Sequence, residues 1–149
     1  EIYSYHNNRG LGTRLGATAD GRRRGEPISE NQSPSYGMDL EGATACLRSQ
    51  ARLPHSRTPG GGTNLRLHTS AVAGEGGLKA LSDLLETYFG MGGQHLQLNV
   101  VDEAILREAQ RNPEANRSLS VRVVGYSAYF VTLSENVQED LIRRTEHAV

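Results

Sequence analysis

The sequence predicts an α/β fold that contains only part of a sheet, and three observations lead to this prediction. Short alternating segments typical of strands are interspersed with amphipathic helical segments, which is the pattern of an α/β protein. Only two or three strands are indicated in 149 residues, too few for a sheet covered on both faces. The potential core is lean, because hydrophobic residues make up 36% of the chain and Trp is absent. We therefore expect these residues to form the end of a larger α/β body.

The first half of the chain predicts two regular elements. Residues 1–40 are punctuated by glycines and prolines, and we expect an ordered loop region with one short strand. Residues 41–53 carry small and apolar residues near helical spacing, which predicts a short helix that ends at Pro54. Thr63–His68 alternates, with two leucines on one side, and predicts a strand.

The next three elements follow in close succession. Residues 74–77 are expected to form a loop, and residues 78–89 the clearest amphipathic helix. His95–Val101 alternates and predicts a strand, and Asp102 is a candidate cap for a helix that stops before Pro113. The apolar residues that share one side of each element are Leu78, Leu81, Leu85 and Tyr88 in the first helix, Leu96, Leu98 and Val100 in the strand, and Ile105, Leu106 and Ala109 in the second helix.

The last third contains an unusual segment, Leu119–Val131, with the sequence LSVRVVGYSAYFV. It is β-branched, aromatic and nearly uncharged, so it predicts a buried strand, but Gly125 lies at its centre. An interior strand glycine usually marks a bulge or a close approach of two backbones, and a bulge is the simplest interpretation. Ser134 then begins a final helix with Val137, Leu141 and Ile142 inward.

Composition and motif spacing exclude several function classes. Sixteen basic and seventeen acidic residues give a net charge of −1, and the basic triplet Arg22–Arg24 has no interleaved aromatic residue, so no nucleic-acid binding is predicted. No apolar run reaches the length of a membrane span, and no leader segment is recognisable. Because the chain begins with Glu1, we expect it to be processed or to belong to a longer polypeptide.

Hydrolase, phosphate-binding and metal sites are not indicated either. The five histidines show no metal-ligand spacing, so no metal site is predicted. Gly125–Tyr129 has only the first half of a nucleophile elbow, and the glycine clusters at 10–12 and 60–62 lack the lysine of a phosphate loop. The one cysteine, Cys46, has apolar neighbours typical of an inert core thiol.

Residues 122–130, with the sequence RVVGYSAYF, resemble the signature of the glycyl radical enzymes. In that signature Arg-Val-x-Gly is followed by an aromatic residue and then Ser or Ala. Residues 93–99, GQHLQLN, resemble the family's Gly-x-His-x-Gln-Phe-Asn strand, with Leu98 in place of Phe. Further segments match in the same order: 16–22 (with Ala19 where Pro is usual), 27–34, 42–45, 109–114 and 138–147. The residues after Gly125 resemble the dehydratase, lyase and decarboxylase branch rather than pyruvate formate-lyase.

The resemblance implies that Gly125 stores a radical on its α-carbon, where the amide nitrogen and the carbonyl together delocalise the spin. A separate activating enzyme of the radical S-adenosylmethionine class, with a [4Fe-4S] cluster, would remove the hydrogen, and no tightly bound cofactor is expected. Arg122, Val123, Tyr126 and Ser127 would be presented to that enzyme when the loop swings out. Apolar neighbours would exclude oxygen and water from the glycine; these are Val121, Val123, Val124, Tyr129 and Phe130.

The resemblance also implies a partner chain. The family's catalytic cysteine lies several hundred residues before its glycine, near a Glu general base, and this chain has no such stretch; Cys46 stands where the family carries an ordinary small residue. We therefore expect a larger chain to supply the thiol, the general base and most of the pocket for a small-molecule substrate. The reaction would be radical C–X or C–C cleavage, with radical addition of the X-succinate synthase type as one alternative. A spare part that restores an oxygen-cleaved enzyme is another.

The fold implied by the resemblance is the C-terminal part of a ten-stranded α/β barrel, with the glycine loop in its centre. Residues 1–90 would belong to the barrel body, and residues 91–149 would form a glycyl radical domain whose loop lies near 119–131. The cytoplasm of an anaerobic bacterium or archaeon is the expected location, with a microcompartment as an alternative. The substrate stays open.

Overall fold

A computed structural model of the chain describes residues 7–58, 60–123, 125–144 and 146–147. Its helices are α1 (Asn8–Gly12), α2 (Gly42–Gln50), α3 (Gly74–Gly90), α4 (Glu103–Arg111) and α5 (Glu135–Arg143). Its strands are β1 (Thr63–Leu67), β2 (Leu96–Val100), β3 (Ser120–Arg122), β4 (Ser127–Tyr129) and β5 (Glu146–His147). Two residues named above, Glu1 and Val124, lie outside the described residues.

A parallel β–α–β unit forms the centre of the molecule. β1 and β2 run parallel in register, with Leu65 opposite Leu98, and α3 connects them. β5 adds a short parallel pairing on the other side of β1, which gives the strand order β2-β1-β5. Parallel neighbours require a crossover helix, so the amphipathic segment between the two strands is where the topology needs it.

Two hydrophobic clusters hold these elements together. In the first, α2 and α3 pack on the leucine face of β1; its buried members include Leu47, Leu65, Leu67, Leu84 and Tyr88. The second joins α4, α5 and the β3–β4 hairpin; its buried members include Leu106, Val121, Val123, Phe130, Leu141 and Ile142. β1 is buried along its whole length because the first cluster covers one face and polar side chains cover the other.

The predicted helices and the first two strands are confirmed within a few residues, with two differences in α3. The helix begins at Gly74 rather than Leu78. Within this added turn the backbone of Gly77 packs against Val72, where a Cβ would lie 2.5 Å from the Val72 carbonyl carbon. Its buried side chains are Leu84 and Tyr88, whereas Leu78 is 61% exposed. The face that meets the core is therefore rotated from the one that the spacing predicted.

Other expectations were wrong in detail. The described part of residues 1–40 contains the single-turn α1 and turns but no strand. Val100 and Ile105 are exposed at the outer ends of their predicted apolar faces. Asp102 precedes α4 but makes no capping bond to it; its carboxylate accepts hydrogen bonds from the backbone and hydroxyl of Thr69, both at 2.9 Å.

The largest correction concerns Leu119–Val131, which is not one buried strand. It folds back on itself as an antiparallel hairpin of β3 and β4, with Arg122 opposite Ser127, and a short 3-10 turn at Phe130–Thr132 follows. Gly125 lies in the connection rather than in a bulge. No helix of the described ranges is both long enough and apolar enough to cross a bilayer.

Candidate functional site

Gly125 occupies the tip of the β3–β4 hairpin. The Val123 N–H donates to the Tyr126 carbonyl at 2.9 Å and closes the connection around it. Gly125 has φ +72°, in the left-handed region where an L side chain is strained by about 1 kcal/mol. A Cβ placed there would meet no described atom within 4 Å. Within this chain, glycine is therefore required by backbone conformation rather than by lack of space.

The amide of Gly125 is bonded to a side chain of the neighbouring sheet. Its N–H donates to Oε1 of Gln97 on β2 at 2.9 Å, and Nε of Arg122 donates to the same oxygen at 3.1 Å. Both partners can only donate, so the atom between them must be the carbonyl oxygen of the Gln97 amide. Gln97 is buried, and the orientation of its amide is therefore fixed.

Asn99, two residues further along β2, holds the hairpin by its backbone. Its Oδ1 accepts from the Arg122 N–H, and its Nδ2 donates to the Arg122 carbonyl, both at 2.7 Å. A side-chain amide that pairs with both backbone groups of one residue imitates an adjacent strand. Within the described ranges, β2 and the hairpin belong to separate sheets. The side-chain amides of Gln97 and Asn99 therefore connect them in place of strand pairing.

A buried ion pair also holds the glycine loop, at the backbone of Val123. Arg144, just after α5, donates to the Val123 carbonyl at 3.1 Å and to the Glu30 carboxylate at 2.6 Å. Both charged side chains are buried. Burial raises the pKa of Glu30, and the nearby Arg144 charge opposes that shift. The ion pair connects the glycine loop to the long first loop region of the chain.

Comparison with known proteins identifies the family. The family model for the glycine radical domain matches residues 28–131, more than half of the chain. The chain belongs to the glycyl radical family. It is 44% identical to trans-4-hydroxy-L-proline dehydratase of Clostridioides difficile over 136 residues, 91% of this chain and 17% of that protein. It is 41% identical to indoleacetate decarboxylase of Tractidigestivibacter scatoligenes over 133 residues, 89% of this chain and 15% of that protein.

Solved structures agree with this glycyl radical assignment. The chain is similar to glycerol-bound B12-independent glycerol dehydratase from Clostridium butyricum, with a TM-score of 0.91 and 44% identity, over 96% of this chain and 18% of that one. These relatives are dehydratases and a decarboxylase, which confirms the branch that the sequence resembles. The chain spans less than a fifth of their length, so most of each relative has no counterpart in these 149 residues.

The structure separates the predicted site residues of this glycyl radical chain into two groups. Gly125, Tyr126 and Ser127 are exposed at the hairpin tip. Val123 is buried in the second hydrophobic cluster, and Arg122 is half-buried against Gln97. The structure therefore brings all five into one loop but places only three of them at its surface.

The expected apolar shield around Gly125 is only partly present. Val121, Val123 and Phe130 are buried, but they lie in the cluster beneath the hairpin. Tyr129 is 56% exposed, because it alternates with Ala128 and faces away from that cluster. The residues that the structure describes do not by themselves enclose the tip.

Cys46 does not belong to the site. It lies on α2 within the first hydrophobic cluster, whereas the glycine loop rests on the second. Burial, with a smaller effect of the Asp39 charge, raises the pKa of its thiol to about 11. Across the described part of the chain, no three His, Cys, Asp or Glu side chains are grouped to hold a metal ion.

Sequence reasoning assigned no role to the residues that hold the loop. Gln97, Asn99 and Arg144 appeared only as matching positions, and Glu30 was not singled out. A signal was present, because Gln97 and Asn99 form the polar half of an alternating strand. The sequence did not indicate that this polar half is buried, and the structure shows it buried against the hairpin.

Proposed function

We propose that this chain is the radical-bearing part of a glycyl radical lyase, with Gly125 as the residue that stores the radical. The observation that supports this best is the placement of Gly125 at an exposed hairpin tip, with its N–H and the segment before it held by side chains. Loss of the α-hydrogen makes the α-carbon planar, and a residue without a Cβ accommodates that change. The family match over residues 28–131 includes this tip.

The Gly125 radical would take a hydrogen atom from a cysteine thiol that these residues do not provide, which restores the glycine C–H bond and leaves a thiyl radical on that cysteine. A segment outside them would carry that cysteine, the general base and most of the substrate pocket, and the relatives have ample additional length for it. The reaction class is radical elimination or decarboxylation of a small molecule, by analogy with the dehydratases and the decarboxylase. In this arrangement residues 1–90 belong to the wall of an α/β barrel and residues 91–149 form the glycyl radical domain inserted into it.

Activation requires the tip to leave its position. We infer that a separate radical S-adenosylmethionine enzyme recognises the glycine loop through Arg122, Val123, Tyr126 and Ser127. Tyr126 and Ser127 are accessible as they stand, whereas Val123 and Arg122 become accessible only after the hairpin is released. Release breaks side-chain hydrogen bonds, each of about 1 kcal/mol, rather than a strand ladder.

Electron paramagnetic resonance of the anaerobically activated protein tests the proposal. Wild type should give an organic radical signal that broadens when the protein is labelled with 2-13C-glycine, and Gly125→Ala should give none. Gly92→Ala is the matched control, because Gly92 also has a positive φ and open space around its α-carbon. Gly92→Ala carries the same backbone strain of about 1 kcal/mol, and the organic radical signal should persist in this variant.

A signal that survives in Gly125→Ala would contradict the assignment. The arrangement of chains is tested separately by the mass of the purified active protein. A distinct large chain that co-purifies and lacks a glycine loop supports a split enzyme. A single long polypeptide contradicts the split, and a complete partner enzyme indicates a repair protein instead.

A further inference from the structure

The bond between Gln97 and Gly125 is the most specific contact of the glycine loop. It is made to the amide adjacent to the α-carbon, at 2.9 Å, by a side chain that is itself 7% exposed. Asn99 and Arg144 hold backbone groups of Arg122 and Val123, further from the tip. Among the contacts of the loop with the described side chains, the Gln97 oxygen is therefore the one that touches the amide of Gly125 directly.

We propose that Gln97 is a positioning residue for the Gly125 radical, with its amide oxygen fixing the plane and polarity of the Gly125 N–H. The inference rests on the proposed function, since it assigns a role within the same site. It adds a residue of β2 to a site otherwise formed by residues of the hairpin.

The physical basis is the geometry of spin delocalisation. The α-carbon shares its unpaired electron with the amide nitrogen and the carbonyl only while these groups are coplanar. A hydrogen bond from the N–H restricts rotation of that peptide, and the partial negative charge of the acceptor favours electron release by the nitrogen. A rigid buried acceptor holds this arrangement better than water at an exposed turn does.

The acceptor oxygen of Gln97 is itself held by a second donor. Arg122 donates to the same oxygen at 3.1 Å and holds it in place. Arg122, a residue of the glycine signature, thus acts here through Gln97 rather than on the glycine itself.

The test compares three variants of the complete protein, activated anaerobically with its activating enzyme. Gln97→Met has nearly the same length but no acceptor for this bond. Gln97→Glu keeps an acceptor oxygen that can still bind Arg122 and should restore the bond. Asn99→Ala loosens the hairpin through Arg122 without removing the contact to Gly125, so it reports the effect of a merely structural loss.

Two readouts distinguish positioning from mere stability. In deuterated buffer, electron–nuclear double resonance measures the quadrupole coupling of the amide deuteron on the radical residue. This coupling should increase in Gln97→Met and return to the wild-type value in Gln97→Glu, while Asn99→Ala leaves it unchanged. In the unactivated protein, hydrogen exchange at the Gly125 amide should accelerate about tenfold in Gln97→Met, the effect of losing one hydrogen bond.

The outcomes separate the two proposals. If wild type forms a glycine radical and the quadrupole coupling of its amide deuteron is the same in Gln97→Met, the role of Gln97 is overturned and the proposed function stays intact. Equal changes in Gln97→Met and Asn99→Ala also overturn it, because they indicate general loosening of the hairpin. Absence of any glycine radical in activated wild type overturns both proposals.

Discussion

Cys46 is the one thiol in the chain, and its surroundings decide whether it could take part in radical transfer. It is 8% exposed, among apolar side chains of α2, α3 and β1. Burial raises its pKa to about 11, so it is overwhelmingly a neutral thiol near pH 7. An inert thiol of this kind behaves as a small apolar side chain.

We predict that Cys46→Ala keeps the full radical signal and full turnover in the intact protein. The substitution removes only a buried sulfur, so the free energy of unfolding should fall by about 1 kcal/mol. In the native protein Cys46 should also resist alkylation by iodoacetamide, and unfolding in urea should make it reactive. Loss of turnover with an intact radical would show that Cys46 is the hydrogen-abstracting thiol.

At the scale of elements, the hairpin is attached to the sheet by side chains rather than by strand pairing. Gln97 and Asn99 project from β2 and bind β3 and the tip. Such an attachment is specific, because both amides are oriented by two partners. It is also less cooperative than a ladder, which suits the release of the loop that we propose for activation.

Helices α4 and α5 pack against the hairpin in the second hydrophobic cluster, and a charged pair joins the two helices. Arg107 donates two hydrogen bonds to Glu139, at 2.6 and 3.1 Å. The hydrogen bond from Arg107 is the main reason why the pKa of Glu139 lies below its usual value of 4.5. The unfolded chain therefore binds more protons at this residue than the folded chain does at acidic pH.

We predict that Glu139 contributes stability that is complete above its unfolded pKa and is lost as the pH falls below 4.5. Glu139→Gln should reduce the acid-side loss of stability in urea titrations, by about 1 kcal/mol or less for a partly exposed pair. Glu108→Gln, which disrupts the exposed pair with Arg111 within α4, is the matched control for the loss of one carboxylate. An acid slope that is unchanged in Glu139→Gln would contradict the prediction.

At the scale of the whole molecule, the two ends of the described chain are held together. Arg144 binds Glu30, Asp140 binds Arg9 at 2.9 Å, and His147 lies 2.9 Å from the Asp39 carboxylate. These pairs give the irregular region before α2 its order. Because Arg144 also binds the Val123 carbonyl, the same contacts extend to the glycine loop.

We predict that the buried Glu30 carboxyl gives a pH dependence opposite in sign to that of Glu139. Its folded pKa is raised, so the folded chain holds more protons above pH 4.5, and its contribution to stability falls as the pH rises through the folded pKa. The unfolding free energy of wild type minus that of Glu30→Gln should therefore decrease from acidic to neutral pH. Denaturant titrations of the intact protein over that range measure it.

A difference that increases with pH would contradict this prediction and show that attraction to Arg144 outweighs the burial of Glu30. The companion variant Arg144→Met leaves the Glu30 carboxylate buried without its cation. It should cost about 3 kcal/mol or more at neutral pH, much more than Glu30→Gln.

Helices α2 to α5 and strands β1 and β2 were predictable because their signals are local. Leucines at helical spacing in α3, and alternation in β1 and β2, reflect burial within a few residues of one another. The segment around Gly125 was equally readable as a motif, since a signature is a property of consecutive residues. The chain's own residues thus determined its elements, its family resemblance and the position of the candidate radical.

Tertiary structure decided how that candidate is held. A glycine within a β-rich run is compatible with a bulge or with a hairpin, and only the pairing of Arg122 with Ser127 chooses between them. Alternation in β2 defines two faces, but a polar face that is buried against another element looks the same in sequence as one that faces water. Gln97, Asn99, Glu30 and Arg144 acquire their roles from partners 21 to 114 positions away, and contacts between residues so far apart leave no local pattern.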